Sequence, residues 1–356
     1  MAAYLNVVAS AVPEHDVHAG FVEYARGLLS PRARPVFDRM AERSGIAHRY
    51  APFRPNELTG AEGEAIDHAG FYRRGDFPPT SARMEAYARL APDLAEAAAG
   101  KLDLYGITHL ICASCTGFMA PGLDQVLAER LGLMADLERS AIGFMGCYAA
   151  VPALRLARHI VQSEREARVL VVNLELCSLH LQESADLETI LSFLLFGDCA
   201  TAGIVTAEVN GLELVDFRSV PLPGTEDLIT WRVGDQGFAM HLSGKVPARI
   251  AAALRMDASR NDDGGILRGG RPESVAFWAV HAGGRTVLDA VEQGYGLAPE
   301  ALQASRAVLY DRGNVSSATL MCVLERLLAE SGAGTGVAMA FGPGVCAETF
   351  RFQKVA

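Results

Sequence analysis

The chain has 356 residues, of which half are hydrophobic and 21% are charged, and its formal net charge is −10 at pH 7. This composition excludes a disordered chain, and the length exceeds the usual single core, so we expect two domains or one duplicated unit. The negative net charge argues against a nucleic-acid-binding protein. No apolar run approaches the ~18 residues of a membrane span, and the N-terminus lacks the basic start of a signal peptide, so we predict a cytoplasmic protein.

In the first half, short apolar runs alternate with segments of helical periodicity. The N-terminal "YLNVVASA" predicts a first strand, and "HLICAS" (109–114) and "RVLVVNLEL" (168–176) predict buried strands. Between them, 121–133 predicts an amphipathic helix with Leu123, Val126 and Leu127 on one face. A second helix follows Cys147, and Pro152 lies in its first turn or kinks it.

The second half repeats this rhythm. A strand ends at His281, a helix follows two glycines, a turn leads into a long helix after Asn314, and strand–turn–strand closes the chain. The polar, Gly-rich stretch 255–274 predicts a surface loop. Such alternation indicates an α/β protein with largely buried strands, and the similar element order predicts a duplication near residue 210.

The seven cysteines are an odd number, and one pair has the spacing of redox and zinc motifs. That pair is Cys112 and Cys115 in "CASC". No second pair follows at zinc-ribbon spacing, so we expect no metal site and mostly buried thiols. A non-catalytic thiol or metal protein that uses "CASC" stays open as an alternative.

Three residues far apart in the sequence occupy positions that suit catalysis. Cys147 precedes a helix, His281 ends a strand before two glycines, and Asn314 precedes another helix. A helix N-terminus and a nearby imidazolium both favour a thiolate, while His and Asn donors can bind a thioester oxyanion. Taken one at a time, a core thiol, a hydrogen-bonded histidine and a capping asparagine explain the same residues.

Several blocks in order resemble the type III polyketide synthases, the chalcone synthase-like family. They are "CTGFMAPGLDQVLAERLGL" (115–133), "LFGDCATAGIV" (195–205), "FWAVHAGGRTVLDAVE" (277–292), "RGNVSSA" (312–318) and "FGPGVCAET" (341–349). The resemblance implies a thiolase fold, with layered αβαβα architecture and two pseudo-duplicated halves. These would be residues 1–210, with the cysteine, and 211–356, with the histidine and asparagine. It also implies a homodimer.

The resemblance also implies roles for single residues. Cys147 matches the nucleophile, and His281 and Asn314 match its partners in decarboxylation and condensation. Phe196 matches an aromatic gatekeeper, and the positions assigned to the substrate pocket are Cys115, Thr116, Phe196, Trp231, Met240 and Ala120. Three of them depart from the family pattern: Met240 replaces an aromatic residue, Trp231 a small one, and Ala120 the methionine that reaches the partner subunit's cavity.

Coenzyme A recognition in such enzymes uses basic residues at a tunnel mouth. The basic residues that match here are Arg39 and Arg43, and Gly283, Gly284 and Ser316 match positions that line the tunnel. An ordinary solvated helix face explains the two arginines equally well. The implied substrates are malonyl-CoA and an acyl-CoA starter, with no metal and no bound organic cofactor.

The product is less constrained than the reaction. Met240 and Ala120 favour a long acyl starter and an alkylpyrone or alkylresorcinol, whereas the bulk of Trp231 opposes this. A tetrahydroxynaphthalene or phloroglucinol synthase that uses malonyl-CoA alone is the alternative. A priming ketoacyl synthase of fatty-acid synthesis is more distant, because "HAGG" (281–284) stands where it would carry His-Gln-Ala-Asn. A papain-like protease fits neither the position of Cys147 nor the predicted compartment.

Overall fold

The computed structural model describes residues 1–59 and 61–355. The helices are α1 (His18–Leu28), α2 (Arg34–Glu42), α3 (Thr80–Ala99), α4 (Leu123–Arg130), α5 (Ala150–Ser163), α6 (Leu187–Leu195), α7 (Val246–Ala258), α8 (Arg285–Tyr295), α9 (Gln303–Arg312) and α10 (Ala318–Ala329). The strands are β1 (Tyr4–Ala11), β2 (His15–Asp16), β3 (Tyr50–Ala51), β4 (His109–Ser114), β5 (Glu138–Gly143), β6 (Val169–Leu176), β7 (Asp198–Thr206), β8 (Leu212–Pro221), β9 (Ile229–Gly234), β10 (Gly237–Leu242), β11 (Phe277–Val280), β12 (Gly334–Phe341) and β13 (Cys346–Lys354).

Nine of these strands form a mixed sheet in the order β11-β12-β13-β8-β1-β7-β6-β4-β5. The pairing pattern occurs twice. β1 pairs antiparallel with β7, β7 antiparallel with β6, and β6 parallel with β4. Likewise, β8 pairs antiparallel with β13, β13 antiparallel with β12, and β12 parallel with β11. The two series meet where β1 pairs with β8.

The helices α5 and α10 lie between the two series of strands. α10 contacts β1 and β7 on one side and β11 and β12 on the other, and α5 contacts β4 and β6 as well as β8 and β13. Every residue of β6 and β7 is buried. Such strands need helices on both faces, which α3 and the central helices supply. The loops before α5 and α10, where Cys147 and Asn314 lie, are therefore brought close together.

Most elements predicted from the sequence are confirmed. The strand at 109–114 has the predicted bounds, and α4, α5, α8 and α10 fall within the predicted helices. Pro152 is the third residue of α5, where a missing N–H costs no helical hydrogen bond. The predicted loop 255–274 is wrong at its start, because α7 continues to Ala258 and buries Asp257, whose carboxylate accepts a hydrogen bond from the Tyr295 hydroxyl.

A two-stranded hairpin outside the large sheet lies beside Cys147. Its strands β9 and β10 pair so that Trp231 and Met240 lie directly opposite each other.

Within residues 1–59 and 61–355, no helix combines the length and the apolar character that crossing a membrane requires.

Candidate active site

Cys147 lies in a tight turn between β5 and α5. The turn contains two residues with positive φ, Phe144 at 57° and Gly146 at 77°. A Cβ on Gly146 would lie 2.5 Å from Cδ of Pro343, so glycine is required there both by φ and by space. Cys147 follows in a short 3-10 helix (Gly146–Tyr148), and α5 begins at Ala150. The thiol is thus held near the N-terminus of α5.

His281 follows directly after β11 and is almost completely buried. Its backbone N–H donates to the Met339 carbonyl at 2.8 Å, which continues the pairing with β12. Neither ring nitrogen has a hydrogen-bond partner within the described part of the chain. A buried imidazole with two free nitrogens has the capacity to take and give a proton.

Asn314 lies between α9 and α10, and several backbone contacts fix its position. Its Nδ2 donates to the Gly283 carbonyl at 3.2 Å, and its Oδ1 accepts the Ser316 N–H at 2.9 Å. Its backbone N–H donates to the Leu195 carbonyl, and its carbonyl accepts the Gly197 N–H. Because Gly283 is two residues from His281, the amide of Asn314 is tied to the histidine loop.

These residues line two adjacent cavities of about 30 Å³ each. The first, here called the thiol cavity, is lined by Cys147, Phe196, Ile229, Met240, Leu242, Val246, Ile250, His281, Gly283, Val287, Asn314, Phe341 and Gly342. The second, the hairpin cavity, is lined by Cys115, Thr116, Gly146, Cys147, Cys177, Phe193, Phe196, Ile229, Trp231, Met240, Ser316 and Pro343. Cys147, Phe196, Ile229 and Met240 border both. The structure therefore brings the three predicted catalytic residues to one cavity and most of the predicted pocket residues to the other.

The electrostatics of Cys147 differ from the sequence-based expectation of a lowered pKa. Burial raises the pKa of the thiol to about 12, and the buried Glu175 carboxylate acts in the same direction. Hydrogen bonds from Ser316 and Asn314 oppose this rise. Burial likewise lowers the pKa of His281 to about 3. Each group alone is thus held neutral, because an apolar cavity disfavours an isolated charge on either.

Glu175 is a buried carboxylate in β6 that sequence reasoning missed. Its Oε2 accepts the Cys115 N–H at 3.0 Å and the Thr116 hydroxyl at 2.9 Å, and its Oε1 accepts the Ser317 hydroxyl. Burial raises its pKa. The network joins the two pocket residues on one side to the loop before α10 on the other. An acidic residue inside an otherwise apolar strand run was the signal available in the sequence.

Trp231 is fixed in the wall of the hairpin cavity. Its Nε1–H donates to the Cys115 carbonyl at 2.9 Å, and its ring meets the His180 ring edge-on at a centroid distance of 5.3 Å. His180 is itself buried, stacks on Phe238 at 4.1 Å and hydrogen-bonds the Thr116 carbonyl. Burial lowers the pKa of His180 to about 3, so it is a neutral part of this wall.

The predicted coenzyme A residues are divided between the surface and the cavity. Arg39 and Arg43 are exposed, and the Arg43 carbonyl accepts a hydrogen bond from Arg285 at 3.3 Å. Gly284 is the N-cap of α8, beside Arg285. Ser316 lines the hairpin cavity and hydrogen-bonds the Cys147 thiol.

Ala120 differs from the other predicted pocket residues. It is exposed and joined to Pro121 by a cis peptide bond, and it lines neither cavity of its own chain. Its neighbour Phe118 is 50% exposed. Both residues are thus available on the surface of a single chain.

Comparisons with known proteins identify the family. Residues 3–209 match the family described as chalcone and stilbene synthases, N-terminal domain, and residues 213–356 match the C-terminal domain of the same family. The chain belongs to the chalcone and stilbene synthase family. It is 33% identical over 333 residues to bisdemethoxycurcumin synthase of Oryza sativa subsp. japonica, covering 87% of this chain and 80% of the relative.

The fold is that of solved type III polyketide synthases. PKS-I of the brown alga Ectocarpus siliculosus has a TM-score of 0.85 and 29% identity, over 99% of this chain and 98% of the other. The type III domain of Steely1 from Dictyostelium has a TM-score of 0.87 at 21% identity over the whole of both chains. The predicted thiolase fold is confirmed, and the chain is a type III polyketide synthase, an enzyme of the acyltransferase type that uses coenzyme A thioesters.

Proposed function

We propose that this polyketide synthase carries an acyl starter on Cys147, extends it with malonyl-CoA and cyclises it to an alkylpyrone or alkylresorcinol type of product. The observation that carries this proposal is the convergence of Cys147, His281 and Asn314 on one small buried cavity. No metal or organic cofactor takes part in the proposed reaction.

The first step transfers the starter to Cys147. The thiol proton moves to a free ring nitrogen of His281, and the sulfur attacks the thioester carbonyl of the starter. The bond to the coenzyme A sulfur breaks, and His281 returns the proton to that leaving thiolate. Burial opposes either charge alone, but the thiolate and the imidazolium form together and attract each other in a medium of low dielectric constant.

Chain extension requires a carbanion equivalent from malonyl-CoA. The bond to the carboxylate breaks, carbon dioxide leaves, and the electron pair moves onto the thioester oxygen as an enolate. Asn314 and His281 both offer N–H groups to this oxygen, and their positions are fixed before the charge develops. The enolate carbon then attacks the Cys147 thioester, which releases the thiolate and yields the extended chain on coenzyme A.

Several surrounding residues have proposed roles in substrate binding. Phe196, Met240 and Trp231 set the size of the cavities next to the thiol, together with Cys115 and Thr116. Arg39 and Arg43 bind phosphates of coenzyme A, supported by their exposure near the start of α8, and the backbone of Gly283 and Gly284 lets the pantetheine arm pass. Ser316 favours the thiolate of Cys147.

The assembly that we propose is a homodimer in the cytoplasm. The exposed Phe118 and Ala120 lie on a segment beside the catalytic region and support a subunit interface there. Each chain would consist of two duplicated halves, residues 1–210 and 211–356, which the repeated strand pairing supports. Light scattering of the purified protein tests the dimer.

A synthase that uses malonyl-CoA alone is the second candidate. The small volume beside the thiol and the fixed position of Trp231 favour a short starter. Mass spectrometry of products formed from malonyl-CoA, with and without acyl-CoA starters from acetyl to palmitoyl, separates the two. Products that appear only with long starters support the first proposal, and a naphthalene from malonyl-CoA alone supports the second. Activity only with an acyl-carrier-protein thioester would contradict both, and Cys147→Ala serves as the inactive control.

A further inference from the structure

Two cysteines that the proposed mechanism does not use meet in the core between β7 and α10. Cys199 lies in β7 and Cys322 in α10, and their sulfur atoms are 3.8 Å apart. The two residues are 0% and 1% exposed, and neither lines the thiol cavity or the hairpin cavity. Because they are 123 positions apart in the sequence, only the fold brings the two thiols together.

A positive charge lies beside this thiol pair. Nη1 of Arg312 donates to the Cys322 sulfur at 3.0 Å and is 3.9 Å from the Cys199 sulfur. The hydrogen bond between the two thiols and the charge of Arg312 lower the pKa of Cys322, although burial opposes this. The same hydrogen bond and burial hold the pKa of Cys199 well above its ordinary value. Cys322 is therefore the nucleophile of the pair, and Cys199 retains its proton.

The thiol pair lies close to the protein surface on the side of Arg312. The side chains of Arg312 and Glu325, whose Nη1 and Oε2 atoms are 3.9 Å apart, are 23% and 29% exposed. Glu325 also borders a cavity of about 530 Å³ between β1 and the end of α10. A small neutral oxidant such as hydrogen peroxide thus has a short path along Arg312 to the Cys322 sulfur.

We propose that Cys199 and Cys322 form an oxidative modification site that hydrogen peroxide converts to a disulfide. The Cys322 sulfur attacks one peroxide oxygen, the O–O bond breaks, and the other oxygen takes up a proton and leaves as water, which yields a sulfenic acid. The Cys199 sulfur then attacks the Cys322 sulfur, the S–O bond breaks, and the hydroxyl leaves as water with the Cys199 proton. The two thiols lose two electrons in total, and one hydrogen peroxide is reduced to two molecules of water.

This disulfide would change the geometry around the active site. The sulfur atoms must approach from 3.8 Å to about 2.05 Å, which draws α10 towards β7. β7 begins two residues after Phe196, and the loop that carries Asn314 leads directly into α10. Since Phe196 and Asn314 form a β-bridge, both sides of this bridge continue into elements that the disulfide moves. We therefore expect the oxidised enzyme to condense malonyl-CoA more slowly, and reduction to restore the rate.

The first test maps the oxidised thiols in Cys147→Ala, so that the catalytic cysteine cannot react. The protein is treated with hydrogen peroxide at pH 7, free thiols are blocked with iodoacetamide, and the unreduced digest is examined by mass spectrometry. We expect a cross-linked peptide that joins Cys199 to Cys322, and dithiothreitol should remove it.

Two matched substitutions in the same background test the role of the guanidinium. Arg312→Gln removes the charge beside Cys322 and should slow formation of the cross-linked peptide at least about tenfold. Arg326→Gln removes an arginine of α10 that pairs with Asp311 instead, and it should leave the rate unchanged. Circular dichroism and thermal melting confirm that each variant is folded.

The second test measures condensation by wild type before and after peroxide treatment, relative to the fraction of Cys147 that iodoacetamide still modifies. We expect this normalised rate to fall at least about tenfold and to recover with dithiothreitol, because small displacements of catalytic groups are costly. In Cys322→Ala, peroxide should leave it unchanged. The inference is overturned if no Cys199–Cys322 peptide forms, if Arg312→Gln forms it as fast as its parent, or if the normalised rate of wild type does not fall.

Discussion

Replacing His281 by glutamine tests how Cys147 becomes reactive. Glutamine preserves a polar side chain of similar length but cannot accept the thiol proton. In the structure, Glu175 disfavours the thiolate, and Ser316 and Asn314 favour it only through hydrogen bonds. We therefore expect His281→Gln to leave Cys147 as an unreactive neutral thiol at neutral pH.

The size of the effect follows from the burial of Cys147. With the pKa at about 12 when burial dominates, only about 10⁻⁵ of the thiol is ionised at pH 7, against about 3% for a thiol of ordinary pKa near 8.5. If His281 takes the proton in wild type, the thiolate is present well below pH 8. The rate of alkylation at pH 7 should then fall by at least about a hundredfold in His281→Gln.

The assay is the rate at which iodoacetamide modifies Cys147, followed by mass spectrometry of the peptide that contains it, between pH 5 and 9. Cys346 is half-buried and provides an internal reference thiol in the same sample. Wild type should show a high rate that varies little above pH 7. In the variant, the rate should rise with pH throughout the range. Equal rates and equal pH profiles in the two proteins would refute the assigned role of His281.

Three further predictions concern the cavity, the surface and the stability of the fold. Trp231→Phe removes the bond to the Cys115 carbonyl and some bulk, so products should lengthen by at least one extension in mass spectra. Arg39→Ala and Arg43→Ala should each raise KM for malonyl-CoA about two- to fivefold with kcat unchanged, an effect that shrinks with added salt. Burial raises the pKa of Asp198 to about 7, above its ordinary 3.8, so its contribution to stability is present at low pH and is lost as pH rises towards 7. Urea denaturation between pH 4 and 8 should show this loss in wild type and a flatter profile in Asp198→Asn.

The sequence was sufficient to predict those helices and strands whose local residue pattern determines their secondary structure. The strand 109–114 and the helix α5 were predicted from apolar runs, glycine and proline, and the folded structure contains both elements. The end of α7 was predicted wrongly because the polar, Gly-rich character of 255–274 as a whole indicated a loop, which concealed the role of Asp257. In the fold it is buried and accepts hydrogen bonds from Tyr295 and from the N–H groups of Ile266 and Leu267. The periodicity of a sequence cannot show that residues distant in the chain will donate hydrogen bonds to a buried carboxylate.

The site itself was predictable only in part. The positions of Cys147, His281 and Asn314 relative to helices and strands could be inferred from glycines and apolar runs, and the fold then places all three at one cavity. The direction in which the pKa of Cys147 is shifted could not be inferred, because it depends on burial by residues from many elements. The cavity of about 100 Å³ under α1 was equally unpredictable, since α1 and residues 49–72 meet there only through tertiary packing.

The backbone contacts between Phe196 and Asn314 fix the position of Asn314 independently of the side chains around the cavity. Phe196 and Asn314 form a β-bridge, in which Asn314 donates to the Leu195 carbonyl and Gly197 donates to the Asn314 carbonyl. The approach is so close that a Cβ on Gly197 would lie 2.7 Å from the Arg312 carbonyl oxygen. Main-chain hydrogen bonds therefore fix Asn314 whatever side chain occupies position 196. Under the proposed mechanism, substitutions of Phe196, Trp231 or Met240 would therefore change the shape of the cavities while the Asn314 amide keeps its position.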